Sequence, residues 1–377
     1  MVCPTLLRTL LMGIKFLHCV SASLLVCGCS TVDYYSQTVA GHLQLMGQRE
    51  PIDQLIEDES TAEPLRRKLE SIREIREFAS RELGLPDNES YRSYAAIDRE
   101  AVVWAVVATE EFSVDPLHWC YPIIGCASYR GYFSQRKADH GAHRLVEDGM
   151  DVAVLPVPAY STLGWFDDPI PSSVIEWPEP RLAGLVFHEL AHQRLYVAGD
   201  TAFNEAFATT VQQTGVRRWL KHKGDAAALD RWRLQQQREQ VFVALLLDAR
   251  QRLAQLYGRL PAEQEARQLK TAEFERLKAD YQLLKRRWGG YGGYDGWFQQ
   301  LPNNAHLASV ATYQQWVPAF LLLLQRVGGD MQAFYLACER LGELTPQQRR
   351  QRMQSLLRAV PEDRSRSFSQ DTRRNAE

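Results

Sequence analysis

Two histidines four residues apart, His188 and His192, with Glu189 directly after the first, are the residues of this chain best suited to chemistry. On a helix, residues four apart share a face. Both imidazoles can then reach one metal ion, and Glu189 sits beside them as a base for a water that the ion acidifies. With nine histidines in 377 residues, chance would produce His-Glu-x-x-His in only about 1% of such chains. The preceding residues read as helix, with Leu182, Leu185 and Val186 at helical spacing and Pro180 suited to a first turn. Asp200 and Thr201 are good caps for a second helix that carries Glu205 early, one short loop downstream. Two imidazoles and a carboxylate form a His2Glu set with a fourth position open for water or substrate, a donor set that favours Zn2+ over other divalent ions. The reading without chemistry is a buried polar cluster between packed helices.

The run from His188 to Thr209, HELAHQRLYVAGDTAFNEAFAT, resembles the gluzincin metallopeptidases, and more narrowly a family of bacterial lipoproteins described as aminopeptidases. Three further segments are similar to that family: Trp119 to Phe133, Ala159 to Pro169, and Asn303 to Tyr313. The resemblance implies a zincin-like α+β fold, in which a small mixed sheet packs on the HExxH helix and a largely helical part follows. It implies zinc on His188, His192 and Glu205, Glu189 as the catalytic base, and aminopeptidase activity. Two departures from larger gluzincins stand out. Only twelve residues separate His192 from Glu205, and Thr209 occupies the place, one turn after the metal glutamate, where thermolysin-like enzymes carry a carboxylate. Asp200 is the expected partner to orient a ligand histidine.

Peptide hydrolysis also needs a donor for the carbonyl oxygen as it gains charge. Tyr313, His306 and Tyr160 are the candidates, and Tyr313 is preferred because a helix capped by Asn303-Asn304 can bring it over the metal, where relatives keep such a donor. The segment from Tyr160 to Asp168 is the expected substrate edge. Tyr160 would line it, extended backbone would pair with a peptide, and Asp167 would hold the N-terminal ammonium; Asp167 and Asp168 also suit a turn before Pro169. Two other readings share these residues. One is a membrane-tethered zinc endopeptidase of envelope quality control, and the other a non-catalytic lipoprotein whose metal braces two helices.

Residues 1–28 read as a secretory signal, with Arg8 and Lys15 ahead of an apolar run from Phe16 to Val26. The run ends Leu25-Val26-Cys27-Gly28-Cys29, which resembles a bacterial lipobox, so that cleavage leaves Cys29 as a lipidated N-terminus. Ser30 after it resembles the pattern sorted to the outer membrane of a Gram-negative bacterium, facing the periplasm. An uncleaved anchor is the alternative, although His18 interrupts a run shorter than about 20 residues. Residues 29–55 read as a lipid-anchored tether, 56–361 as one metallopeptidase domain, and 362–377 as a disordered tail. Val241 to Leu247 and Phe320 to Leu324 are too short to span a membrane.

Of seven cysteines, three fall in the leader and Cys29 carries lipid. Cys120 and Cys126 are expected to pair as a disulfide in an oxidising compartment, the alternative being two reduced buried thiols. Cys338 reads as a buried free thiol. A net charge of −2 with 24% charged residues gives no basis for a nucleic-acid partner. The partners expected are a peptide substrate and, through the lipid, a membrane; oligomeric state is not legible.

The elements that must position these residues follow from periodicity. Ala62 to Leu83 is one amphipathic helix. Ser93 to Ile97 and Ala101 to Thr109 read as a β-hairpin, and Ala127 to Phe133 and Asp151 to Val157 as further strands of one small sheet. Ala226 to Tyr257 and Ala262 to Trp288 form a helical hairpin broken at Gly258-Arg-Leu-Pro261, whose Arg, Gln and Glu content reads as a solvated face. Asn304 to Val327 and Met331 to Leu341 are the last two helices.

Overall fold

The computed structural model describes residues 34–121, 125–159, 161–259, 262–299 and 301–359; the leader, Cys29, Tyr160 and the tail from 362 lie outside them. Its first elements are α1 (34–47), β1 (Arg49–Pro51) and α2 (Ile52–Glu57). They belong to the folded body, which corrects the expected tether from residue 34 onward. Gln37, Gly41 and Leu45, spaced one turn apart, make a buried stripe on α1. Gln37 Oε1 accepts a hydrogen bond from Phe133 N at 3.0 Å, and a Cβ on Gly41 would strike the Phe133 side chain.

Next come α3 (Glu63–Leu83), β2 (Ser93–Ala95) and β3 (Val103–Thr109). The expected hairpin between the last two does not form. β2 pairs antiparallel with β1 and parallel with β8 (Ile170–Pro171), making a separate three-stranded sheet. Both segments are strands as the sequence suggests, but partner choice is tertiary. The predicted strand from Ala127 to Phe133 divides into β5 (Gly125–Ala127), paired with β4 (Trp119–Tyr121), and β6 (Arg130–Tyr132), paired with β3. β7 (Asp151–Val157) flanks β3 on its other side over all seven residues. All seven residues of β3 are buried because α4 (Gln135–Glu147) covers one face of the sheet and α9 (Asn304–Gln314) the other. A strand covered on both faces reads as a continuous apolar run rather than as alternation.

The remainder is helical, and the protein is α+β. The other helices are α5 (Glu179–Arg194), α6 (Thr201–His222), α7 (Ala226–Tyr257), α8 (Glu263–Arg287), α10 (Val317–Arg326), α11 (Met331–Gly342) and α12 (Pro346–Arg358). α7 and α8 form the expected antiparallel pair around Phe242, Leu246, Leu253, Phe274 and Tyr281. The helix expected from Asn304 to Val327 is two, broken at Gln315-Trp316, because Pro318 in the first turn of α10 cannot donate a backbone hydrogen bond. Over its length and composition the stretch Asn304–Arg326 is apolar enough to cross a membrane, unlike the shorter segment considered from sequence. Here it is a core element, with Ala305, Leu307, Ala308, Ala319 and Phe320 buried and its helices packed on α6 and α12.

α6 is the central helix. Its run Ala206-Phe207-Ala208-Thr209-Thr210-Val211 is buried on every side, by α5, α9, α10 and α3. Small residues bring α5 and α6 close: a Cβ at Gly215 would lie 2.6 Å from the Phe187 ring and 2.8 Å from Leu83, and one at Gly184 3.3 Å from the Gln212 side chain. This close packing sets the distance between the two helices that carry the site.

Candidate metal centre

α5 carries the histidines and α6 the glutamate, and the loop 195–200 between them is pinned at both ends. Asp200 caps α6 by accepting from Phe203 N at 3.1 Å. Asn204 grips the loop backbone, its Oδ1 accepting from Val197 N at 2.8 Å and its Nδ2 donating to Val197 O at 2.9 Å. Glu205, the next residue, therefore enters the space beside α5 with its backbone fixed. Its Oε2 lies 3.2 Å from His188 Nε2 and 3.5 Å from His192 Nε2, and the two Nε2 atoms are 3.2 Å apart.

These three separations can be compared with a metal site. Three donors about 2.1 Å from a common centre at tetrahedral angles lie about 3.4 Å from one another. The arrangement fits that triangle, and His188, His192 and Glu205 could hold one ion with one donor atom each. The tautomer fits as well. Gln212 Oε1 can only accept, so His188 Nδ1, 3.0 Å away, carries the proton and Nε2 presents its lone pair to the other two donors. His192 Nδ1 is buried without a hydrogen-bond partner among the described residues. Glu205 is buried, which alone would raise its pKa, but the two imidazoles hold it down at about 2.

The partner that orients His188 is thus Gln212, not Asp200. Asp200 instead forms an ion pair with Arg349 of α12 at 2.7 Å. Gln212 lies seven residues after Glu205, two turns along the same face of α6, a spacing that could have singled it out. Replacing Gln212 by alanine is expected to weaken metal affinity about 10- to 100-fold, since outer partners of ligand histidines carry effects of that size. Competition titration against a chelating dye measures it, and an unchanged affinity would dismiss the orienting role.

A cleft of about 520 Å³ opens beside these donors, and His188 and Glu189 line it. Its walls are β7 with its continuation to Ala159, α5, α6, α9 and one face of α7. Burial raises Glu189 to about 7, with the Glu205 and Asp168 charges adding to the rise and His188 opposing it. Tyr313 of α9 also lines the cleft, its ring stacked at 6.5 Å on that of His188. Burial, and then the charge of Glu205, push the Tyr313 hydroxyl well above 10, so it stays a proton donor.

Three cleft residues were not identified from the sequence. Tyr129 follows β5 and is shifted upward by burial and by the charge of Glu205, as Tyr313 is. Glu239 and Gln236 come from α7, so one face of the supposedly solvated hairpin is a cleft wall. Glu239 accepts from Gln236 Nε2 at 3.0 Å, has no cationic partner among the described residues, and is raised by burial.

Other expected residues lie elsewhere. His306 is in the capping box of α9 with Asn303, away from the three donors. Asp167 is exposed and outside the cleft lining, its carbonyl accepting from Arg49 at 3.0 Å. Asp168 is the buried member of the pair, accepting from Thr162 N at 2.8 Å, and burial raises it to about 6. Tyr160 and Cys29 fall outside the described residues. Cys120 and Cys126, directly opposite in the β4–β5 pair, are disulfide-bonded, and Cys338 is a buried free thiol.

Fold and site together define an α+β protein with a two-histidine, one-glutamate cluster able to bind a metal at the edge of a cleft. The chain belongs to a family described as "putative aminopeptidase", which matches it over residues 33–353. No curated protein and no solved structure matches it significantly.

Proposed function

We propose that the chain is a zinc-dependent aminopeptidase of the gluzincin kind, built on a zincin-like fold. The observation that carries this reading is the triangle of His188 Nε2, His192 Nε2 and Glu205 Oε2, at 3.2 to 3.5 Å, beside a cleft that His188 and Glu189 line. When bound, zinc supplies Lewis acidity that acidifies water and polarises a peptide carbonyl. Glu189 takes the proton released as water attacks, and returns it to the leaving amine. Tyr313 donates its hydroxyl hydrogen to the carbonyl oxygen as negative charge gathers there. Replacing Tyr313 by phenylalanine is expected to lower kcat about 100-fold or more with little change in KM, because the donor acts only as charge develops. Steady-state kinetics decides it; an equal change in KM alone would make Tyr313 a binding residue.

Specificity for a free N-terminus requires an anion at the end of the cleft. Glu239 takes this role in place of Asp167, since a half-buried carboxylate lacking a cation gains most from an ammonium. Glu239→Gln is expected to raise KM about 10- to 100-fold for peptides with free amines, the scale of one charge-assisted hydrogen bond. The test of the whole reading combines metal analysis with cleavage of matched peptides bearing free or acetylated N-termini. About one zinc per chain and release of N-terminal residues from free peptides alone are expected. Equal cleavage of acetylated peptides would make the chain an endopeptidase, and stoichiometric zinc without cleavage would favour a bracing metal. The reading extends to location: lipidation at Cys29 would hold the domain at the periplasmic face of the outer membrane.

A further inference from the structure

The exposed side of α1 and the tip of the loop 161–168 form one partly aromatic surface that is uncharged along the helix. Across 34–47 the sequence YYSQTVAGHLQLMG contains no Asp, Glu, Lys or Arg. Its buried stripe of Gln37, Gly41 and Leu45 faces the body, and Tyr35, Val39 and Leu43 follow one another at one-turn intervals on the other side, 40%, 56% and 61% exposed. A helix that faces water normally places charges there. Beside it, Trp165 and Phe166 are 71% and 50% exposed at the tip of the loop.

That loop is held in shape from within. Asp168 Oδ2 accepts from Thr162 N at 2.8 Å and from Thr162 Oγ1 at 3.0 Å, while Trp165 N donates to Thr162 O at 3.1 Å. Leu163 takes a left-handed backbone, φ 58°, a conformation that a side-chain-bearing residue rarely adopts. The loop meets the helix where the Phe166 ring lies 4.5 Å from that of His42, and it meets β1 where Arg49 Nη1 donates to Asp167 O at 3.0 Å. A rigid loop that presents two aromatic rings next to an uncharged helix face is a built surface.

We propose that this surface seats in the interface of a lipid bilayer, with Trp165 at headgroup depth and Val39, Leu43 and Phe166 against the acyl boundary. Trp and Tyr favour that layer because they join an apolar ring to a polar edge. Position in the chain favours a membrane over a second protein copy. Cys29 precedes Tyr34 by five residues, and an apolar run ends at Val26. Five extended residues reach at most about 17 Å, so the lipid anchor proposed at Cys29 would deliver α1 to the lipid surface. The proposal is independent of the peptidase reading, since none of its residues lies in the metal cluster.

The test uses the full-length chain in vesicles of phosphatidylethanolamine and phosphatidylglycerol. Photoreactive benzoylphenylalanine is placed at Val39, Leu43 or Trp165, with exposed Leu234 on α7 and Leu283 on α8 as reference positions. On illumination, lipid adducts at the first three positions should exceed those at the references about tenfold, as expected for side chains immersed in the interface. Adducts to a second copy would overturn the proposal in favour of self-association. Adducts to the chain's own leader, or no excess over Leu234 and Leu283, would also overturn it. Exchanges at solvent-facing positions leave the core intact, so each result reports on the surface.

Discussion

Glu189→Gln is expected to lower kcat/KM by about a thousandfold or more, since a positioned general base contributes about 10²- to 10⁴-fold. The same variant should keep its metal, because Glu189 is not among the three donors. Metal analysis beside kinetics separates the two effects, and a variant that lost both metal and activity would place Glu189 among the ligands. The pH behaviour supplies a second readout. In the metal-free protein Glu189 is raised from 4.5 to about 7, so the folded state holds its proton over a range in which the unfolded chain has released it. Stability associated with this group is then fully present below pH 4.5 and is lost as pH rises toward 7. Chelated Glu189→Gln protein should therefore be the more stable of the two at pH 8, by roughly 3 kcal/mol, with the difference closing under acid. Denaturant titrations at pH 4.5 and 8 measure it. A bound dication would pull the carboxyl the other way, so on the proposed reading the acidic limb of kcat/KM in the metal-loaded protein belongs below 7. A limb at or above 7 would count against Glu189 as the base.

Removal of the metal is the second large effect. Treatment with a chelator, or Glu205→Ala, should reduce activity to background, with zinc restoring the chelated wild type and not the variant. The same loss should appear in stability. An ion present at a thousandfold over its dissociation constant adds about 4 kcal/mol to the folded state. For a domain of this size that corresponds to a fall in Tm of roughly 5 °C on chelation. Differential scanning calorimetry with and without chelator reads it directly. An unchanged Tm together with unchanged activity would remove the metal from any role in this protein.

Much of the site was legible because its residues lie close in sequence. His188, His192, Asp200 and Glu205 fall within 18 residues, and helical spacing plus one cap signal places them all. β7 and the ends of α7 also follow from local patterns. What could not be read depended on distant partners. β2 pairs with β8, about 75 residues downstream, and nothing within Ser93–Ala95 indicates that choice over the nearer β3. Tyr129 and Glu239 are single residues on separate elements, brought to the cleft by packing alone. The misassigned tether is a different case. Residues 29–55 read as a tether on their polar, mixed composition, although Gln37, Gly41 and Leu45 already mark a helical stripe.

The Asp200–Arg349 ion pair has a consequence for when the site can form. The residues that would hold the ion are complete once Glu205 has been made, yet the cap of the helix that carries Glu205 is bound to a guanidinium 149 positions later. Arg349 is almost fully buried and also donates to the carbonyls of Gly342 and Leu344, so it reaches Asp200 only after α11 and α12 have closed on the body. A chain emerging from its N-terminus would thus carry every ligand for most of its passage without a settled frame for them. The last helix acts as a clasp, and on the proposed reading any hydrolytic capacity would be withheld from the nascent chain until α12 has arrived.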